Sequence, residues 1–337
     1  MAAALPAPLN APHVATAAVA ADPGSQAARA QCPYCGVGCG LELKPPKEPS
    51  DPQWTARGDR HHPSSLGQVC VKGATVGETL HHNRLTTPLW RESLEQPFAP
   101  ISWERAFALL VDRIRTTLAE QGPQGLAIYG SGQFLTEDYY VANKLLKGAL
   151  GSNNFDANSR LCMSSAVAGY ARSLGSDGPP CCYDDLDHAD LLFLIGTNTA
   201  ECHPVLFQRL LKRKRKQKEA LRIVVVDPRA TATSDPADLH LAIRPGTDLV
   251  LLQGIGHLLL ELQALDEGFI EAHTEGFAEL KEVWQQWTPQ RVSDLCGIAE
   301  ADLRQLAQWW AEAAGVLSLW SMGVNQSREG TATVSGI

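Results

Sequence analysis

Four of the nine cysteines form one pattern that constrains the fold more than any other feature of the chain. Cys32, Cys35 and Cys39 lie within eight residues, and Cys70 follows later, so that the spacing is C-x2-C-x3-C-x30-C. A cubane iron–sulfur cluster needs four thiolates around one compact object, and a tight loop can supply three of them. The spacing therefore predicts that these four cysteines bind one 4Fe–4S cluster, which orders a small N-terminal domain.

Structural zinc is the competing interpretation of the same four cysteines. Zinc sites more often combine two C-x2-C pairs, whereas the second half of this pattern has a single cysteine. The spacing also differs from that of bacterial ferredoxins, whose third gap is shorter. The cysteine pattern favours a cluster and leaves zinc as the alternative.

Length, charge and hydropathy limit the class of protein. A chain of 337 residues exceeds the usual size of one hydrophobic core, so two or three domains are expected. The net charge of −8 counts against a nucleic-acid binder, which needs clustered Lys and Arg. The longest apolar stretch, 249–262, is short and interrupted by Gln253 and His257, which predicts no membrane span.

Residues 1–30 are rich in Ala and Pro and show no export signal. This composition predicts a disordered tail, and the lack of a signal predicts a cytoplasmic location.

An alternation of apolar strands and helices begins after residue 90. Continuous apolar runs are typical of parallel strands that are covered on both faces, and they predict an α/β fold with a parallel sheet. The predicted strands are 126–129, 191–195, 222–226, 239–243 and 316–320, and the predicted helices are 103–118, 138–150, 203–218 and 248–262. The predicted domains are a tail (1–30), a cluster domain (31–90), a first α/β domain (91–160) and a dinucleotide-binding α/β domain (161–337). Because the chain stops inside an apparent helix, the last domain is expected to be incomplete.

The cysteine motif resembles a known family. Cys-Pro-Tyr-Cys-Gly-Val-Gly-Cys-Gly at 32–40, followed by Cys-Val-Lys-Gly at 70–73, is similar to the N-terminus of the molybdopterin bis-guanine-dinucleotide oxidoreductases. These enzymes include nitrate reductases and formate dehydrogenases. The resemblance implies a 4Fe–4S cluster and a molybdenum bis-molybdopterin guanine dinucleotide cofactor. It also implies that Lys72 lies between cluster and pterin, although a lone Lys in a loop is usually only solvated.

Cys162 is a single thiol that the sequence places at the start of a helix of small residues. A helix N-terminus favours the thiolate, which is a soft metal ligand, but a buried inert cysteine is the ordinary alternative. The segment Asn-Ser-Arg-Leu-Cys-Met at 158–163 resembles that of periplasmic and assimilatory nitrate reductases, which implies that Cys162 ligates molybdenum. Formate dehydrogenases usually have His where this chain has Met163. The resemblance places Arg160 and Met163 near the substrate, and Arg328 is a weaker candidate for attracting the anion.

Further short segments resemble cofactor loops of the family. Several of them follow predicted strands, where parallel sheets bind ligands. Taken alone, each segment is weak, and Asp-Pro-Arg at 227–229 is also a common turn. The residues that the resemblance implies for cofactor binding are Lys72, Gln133, Asn158, Gly196, Asn198, Glu201, Asp227, Arg229, Gly246, Asp248, Met322 and Gln326.

The resemblance implies the N-terminal part of an assimilatory nitrate reductase. Nitrate would be the substrate, and the electron donor would be a ferredoxin, a flavodoxin or an NADH-linked flavoprotein. Two alternatives stay open: a formate dehydrogenase of the same superfamily, and a non-catalytic electron-wiring subunit. Met163 counts against the first, and the presence of Cys162 counts against the second.

Overall fold

The computed structural model describes residues 28–46, 53–80, 84–217 and 220–337, without the side chain of Arg160. The chain divides into two compact units, Met1–Arg84 and Leu85–Ile337. Residues 1–27 of the predicted tail lie outside the described residues. Among the described residues, none of the helices combines the length and the apolar character needed to cross a bilayer.

The first unit contains a small antiparallel sheet in the order β1-β2-β3. Its elements are β1 Ala28–Gln31, β2 Gly40–Lys44, β3 Thr55–Gly58, the short helix α1 Val71–Ala74 and a 3-10 turn at Val76–Leu80. The sequence predicted a disordered tail over residues 1–30. That prediction is wrong for residues 28–30, which belong to β1. The reason is that their backbone pairs with β2, in a register that places Ala30 opposite Leu41.

The second unit begins with a hairpin, a long helix and a pair of parallel strands. The elements are β4 Leu89–Trp90, β5 Ala99–Pro100, α2 Trp103–Gln121, β6 Ile128–Gly130, α3 Thr136–Asn143, a π-helical turn at Lys144–Ala149 and β7 Phe155–Ala157. Ser102 caps α2, because its side chain accepts a hydrogen bond of 3.2 Å from the backbone of Arg105. β6 pairs with β7 in parallel.

The rest of the second unit surrounds a four-stranded sheet in the order β10-β9-β8-β11. All three strand pairs are parallel, which confirms the predicted α/β class. The elements are α4 Ser159–Cys162, α5 Ser164–Leu174, β8 Leu191–Ile195, α6 Thr199–Cys202, α7 Pro204–Lys216, β9 Arg222–Val226, β10 Leu239–Leu241, α8 Asp248–Glu261, α9 Glu267–His273, α10 Phe277–Gln285, α11 Pro289–Cys296, α12 Glu300–Glu312, β11 Val316–Trp320, α13 Met322–Asn325 and α14 Gly330–Gly336.

Burial of β8 and β9 explains why their sequences are continuous apolar runs. Every residue of β8 is buried, and Phe193 packs its ring edge-on against Trp310 at 5.1 Å between ring centres. Leu251 and Leu303 bring α8 and α12 into the same core cluster as Val224 of β9. Because full burial of such a side chain stabilises by about 1.5–3 kcal/mol, this sheet is the rigid framework of the unit.

The sheet order creates a switch point between β8 and β11. From β8 the chain moves outward to β9 and β10, whereas β11 returns to the opposite side of β8. All four strands end at the same edge, since they are parallel. Ligands of open parallel sheets bind beyond the carboxyl ends of strands at such a point.

Candidate functional site

The first unit brings the four cysteines of the motif together. The Cys32 backbone donates a 2.8 Å hydrogen bond to the Cys39 carbonyl, and the Gly38 backbone donates one of 3.1 Å to the Cys35 carbonyl. Burial, together with smaller effects of negative charge on Cys32, Cys35 and Cys70, raises the pKa of the Cys39 thiol to about 11. The four thiols are therefore close enough to influence one another.

These thiols fit a cubane cluster by burial and by the backbone around them. Cys32 and Cys39 are buried, and Cys35 and Cys70 are partly buried. A Cβ atom added to Gly73, three residues after Cys70, would lie 3.5 Å from the sulfur of Cys32. Each thiolate of a cubane binds a different iron atom, and the high pKa of Cys39 means that cluster binding must displace its proton. Among the described residues, no three His, Cys, Asp or Glu side chains are placed to hold a single metal ion.

Lys72 lies in α1 and is exposed to solvent. It follows Cys70 by two positions, so α1 holds it beside the last thiol of the motif. Its predicted place between cluster and pterin remains a prediction.

Cys162 is partly buried and lies where one helix ends, two residues before the next helix begins. The sequence placed it at the start of a helix, but it is the last residue of α4, and Met163 is the N-cap of α5. One extra helical turn forms because the backbone of Cys162 bonds to the Asn158 carbonyl at 3.0 Å, and that of Met163 to the Ser159 carbonyl at 2.8 Å.

Two predicted cofactor segments meet at Cys162. Asn158, the N-cap of α4, accepts a hydrogen bond on its side chain from the backbone of Gly132, in the loop after β6 that carries Gln133. From the other side, the Gln326 side-chain nitrogen lies 3.9 Å from the Cys162 sulfur. The loops after β6 and β11 are thereby joined around the predicted metal ligand.

The switch point of the sheet is built from two glycines in backbone contact. The Gly323 backbone donates a 3.1 Å hydrogen bond to the Gly196 carbonyl. Gly196 has a φ of +57°, and a Cβ atom on Gly323 would lie 2.5 Å from the Gly196 oxygen. This close approach brings the loop after β11, which carries Met322 and Gln326, against the end of β8.

Gly323→Ala should destabilise the protein by about 1–3 kcal/mol, because the added methyl group overpacks against rigid backbone. The measurement is the free energy of unfolding by denaturant titration. Gly148→Ala is the control, since a Cβ atom there meets nothing within 4 Å. A Gly323→Ala variant as stable as the wild type would contradict the close contact.

The loops after β8 and β9 place the remaining predicted residues at the same edge of the sheet. The Thr233 hydroxyl donates to the Asn198 side chain at 2.8 Å and accepts from the backbone of Ala200 at 3.0 Å. The Asn198 amide also donates to Glu201 at 2.9 Å. These bonds fix the loop that follows Gly196, and Thr233 is a supporting residue that sequence patterns did not reveal.

Two carboxylates lie close together beyond β9. Asp227 accepts a 2.8 Å hydrogen bond from the backbone of Arg229, and Asp248 is the first residue of α8. Burial raises the pKa of Asp248, and the charge of Asp227 adds to the rise. Gly246, with a φ of +85°, turns the chain into α8. Carboxylates and a helix N-terminus in one place suit the N–H and O–H donors and the phosphates of a nucleotide.

A cavity of about 520 Å³ lies within the second unit, and Met163, the residue after Cys162, is part of its lining. The lining also includes Thr197, His203, Met322 and Asn325. The Oδ1 atom of Asn325 is buried and has no hydrogen-bond partner among the described residues. Three features at this edge of the sheet fit the binding of a pterin cofactor with a metal centre. They are the unpartnered acceptor of Asn325, the close contact of Gly196 with Gly323, and the partly buried thiol of Cys162.

The structure does not support every predicted residue equally. The Arg160 side chain lies outside what the structure describes. The Arg328 side chain is 97% exposed and pairs with Glu329 at 3.8 Å. The contact geometry therefore supports Cys162, Asn158 and Gln326 more directly than it supports the two arginines.

Comparison with family models covers nearly the whole chain. The model for the molybdopterin oxidoreductase Fe4S4 domain matches residues 25–82, and the model for molybdopterin oxidoreductase matches residues 84–337. The two matches confirm the predicted 4Fe–4S and molybdopterin cofactors. They also confirm the resemblance drawn from the cysteine motif.

Comparison with individual proteins finds long relatives. A nitrate reductase of Synechocystis is 54% identical over 90% of this chain and 43% of its own length. A periplasmic nitrate reductase of Desulfovibrio desulfuricans is 38% identical over 89% of this chain and 40% of its own length. Acetylene hydratase from Pelobacter acetylenicus shares the fold, with a TM-score of 0.77 and 22% identity over 91% of this chain and 42% of that chain. The chain spans less than half the length of these proteins.

Proposed function

The chain belongs to the molybdopterin oxidoreductase family, and on that premise we propose that it is the N-terminal part of a molybdenum-dependent nitrate reductase. The carrying observation is the Cys162–Met163 pair, held between the loops after β6 and β11. The Synechocystis relative, a nitrate reductase by name, supports the same substrate. The overall reaction consumes two electrons and two protons and converts nitrate to nitrite and water.

In this proposal, different residues of the chain bind the cluster, the metal and the pterin. When bound, the molybdenum cofactor would supply two-electron oxygen-atom-transfer chemistry, and the cluster would supply a route for the electrons. Cys32, Cys35, Cys39 and Cys70 hold the cluster, and Cys162 donates its thiolate to the metal. Gln133, Asn158, Met322 and Gln326 hold the pterin near that thiol, and Arg160 and Met163 are assigned to the substrate region.

The strand-end loops hold the dinucleotide part of the cofactor in this proposal. Asn198 and Glu201 form a hydrogen-bonded pair after β8, and Gly196 lets its backbone lie against that of Gly323. Asp227 and Asp248 offer carboxylates to base or ribose donors, and Arg229 and Gly246 flank them. The shared strand edge and the partly buried Asp248 support this assignment.

We extend the proposal to an assimilatory enzyme of the cytoplasm that receives electrons from a ferredoxin, a flavodoxin or an NADH-linked flavoprotein. The motivation is that identity with the relative named as periplasmic is lower, at 38%, than the 54% found with the Synechocystis nitrate reductase. Cell fractionation of the native host tests the location: activity released with a periplasmic marker would contradict it.

The substrate is tested on the complete gene product by two assays side by side. Nitrate with reduced viologen should give nitrite, whereas formate with oxidised viologen should give no turnover. Met163 motivates this expectation, because formate oxidation benefits from a proton-accepting group beside the metal and a thioether does not supply one. Faster formate oxidation without nitrate reduction would overturn the proposal in favour of a formate dehydrogenase.

Lys72→Met should slow nitrate turnover by about 10- to 100-fold, the usual cost of losing a supporting group beside a metal centre. Iron and molybdenum contents should stay at wild-type values, since Lys72 is not a ligand. Lys44→Met, which removes another exposed Lys from the same unit, is the charge-matched control. Equal turnover of Lys72→Met and wild type would refute the bridging role.

A further inference from the structure

Asn325 connects the parallel sheet to the peptide that carries Cys162. It ends α13, directly beyond β11, and only 2% of its surface is exposed. Its side-chain nitrogen donates a 2.9 Å hydrogen bond to the Cys162 carbonyl and lies 3.7 Å from the Met163 sulfur. One amide therefore contacts both the thiol-bearing residue and the residue that follows it.

The orientation of this amide follows from chemistry. A backbone carbonyl can only accept, so the atom facing Cys162 must be the NH2 group. The opposite atom, Oδ1, is then a buried acceptor without a partner among the described residues. Most buried polar atoms in proteins have a hydrogen-bond partner. A buried acceptor without one therefore indicates that the side chain fixes the structure or contacts a ligand.

Asn325 itself is held firmly. A Cβ atom on Gly330 would lie 2.4 Å from the Asn325 carbonyl oxygen, so the backbones of the two residues are packed together. The Gly196–Gly323 contact fixes the start of α13 to the end of β8. In contrast, α4 is a single helical turn, joined to β7 through Asn158 and to α5 through Met163. The rigid partner in this contact is Asn325, and the restrained partner is Cys162.

We propose that Asn325 is a positioning residue that fixes Cys162 and Met163 at the metal through its hydrogen bond to the Cys162 carbonyl. This inference rests on the proposed function, in which Cys162 is the metal ligand. It assigns Asn325 no contact with substrate. The residue acts by restricting where the thiolate can lie.

The first test uses the 337-residue chain and needs no bound cofactor. Iodoacetamide alkylation of Cys162 is followed by peptide mass spectrometry in the wild type, Asn325→Leu and Asn325→Asp. Both variants should be alkylated about fivefold faster, the change that loss of one net hydrogen bond allows. Ser327→Ala, which loses a 2.9 Å bond to the Val324 carbonyl in the same loop, should match the wild type. Cys202, exposed in α6, serves as the internal reference.

The second test uses the complete, molybdenum-loaded enzyme. Asn325→Leu should alter the Mo(V) EPR signal and lower kcat for nitrate with little change in KM, whereas Ser327→Ala should do neither. Unchanged alkylation, an equal rise in Ser327→Ala, or a wild-type Mo(V) signal would overturn the role of Asn325. Failure of the proposed function would look different: the wild type would not reduce nitrate, while the alkylation of Cys162 would still depend on Asn325.

Discussion

Replacing Cys162 with alanine is expected to abolish nitrate reduction while the iron content of the enzyme stays near its wild-type value. Loss of a supporting group near a metal costs about 10- to 100-fold, so loss of the ligand itself should cost more than about 100-fold. Iron should be retained because the four cysteines of the cluster motif lie in the first unit, and Cys162 lies in the second. The measurements are nitrite formation with reduced viologen and iron content per chain.

Controls separate a ligand from an ordinary thiol. Cys202→Ala removes a thiol that is exposed and carries no assigned role, and should keep wild-type activity. Cys162→Ser replaces the soft sulfur with a harder oxygen and should change the Mo(V) EPR signal. A Cys162→Ala enzyme that still reduces nitrate would show that Cys162 is not the ligand.

Much of the sheet could be predicted from the sequence, because burial on both faces requires an unbroken apolar run. β8, β9 and β11 begin and end at the predicted residues. β10 is shorter than predicted, ending at Leu241 rather than at residue 243, because its single partner β9 ends at Val226, opposite Leu241. Local patterns report local burial, but they do not report where a partner strand ends.

The details at Cys162 depend on contacts that no local pattern records. The additional turn of α4 moves Cys162 from a helix start to a helix end. Asn325 reaches the Cys162 carbonyl across more than 160 residues of sequence, and Thr233 supports Asn198 from a different loop. Such partners depend on the tertiary arrangement, which brings α13 beyond β11 against α4 and the loop after β9 against the loop after β8. The family motif could suggest the ligand but not the residues that hold it.

The other large effect is expected in the first unit, where Cys39→Ser should prevent assembly of the 4Fe–4S cluster. Anaerobically purified wild-type chain should contain about four iron atoms and give the EPR signal of a reduced cluster. Cys39 is the buried member of the motif whose thiol pKa is raised to about 11 by burial and by the other three cysteines. A serine hydroxyl in that place loses its proton even less readily and is a harder donor, so the fourth iron bond should be lost.

The same substitution distinguishes a cluster from a zinc site and tests how the first unit folds. Its described part holds a three-stranded sheet and two short helical turns, and much of its order should come from the cluster. Cys39→Ser, like wild type treated with an iron chelator, should therefore expose sites between residues 28 and 80 to limited proteolysis, while the second unit stays resistant. Cys296→Ser changes a buried cysteine of the second unit, and this variant should keep both its iron and its resistance to proteolysis.

Wild-type chain with one zinc and no iron would contradict the cluster and favour the zinc interpretation. Full iron in Cys39→Ser would show instead that the cluster does not need this thiol.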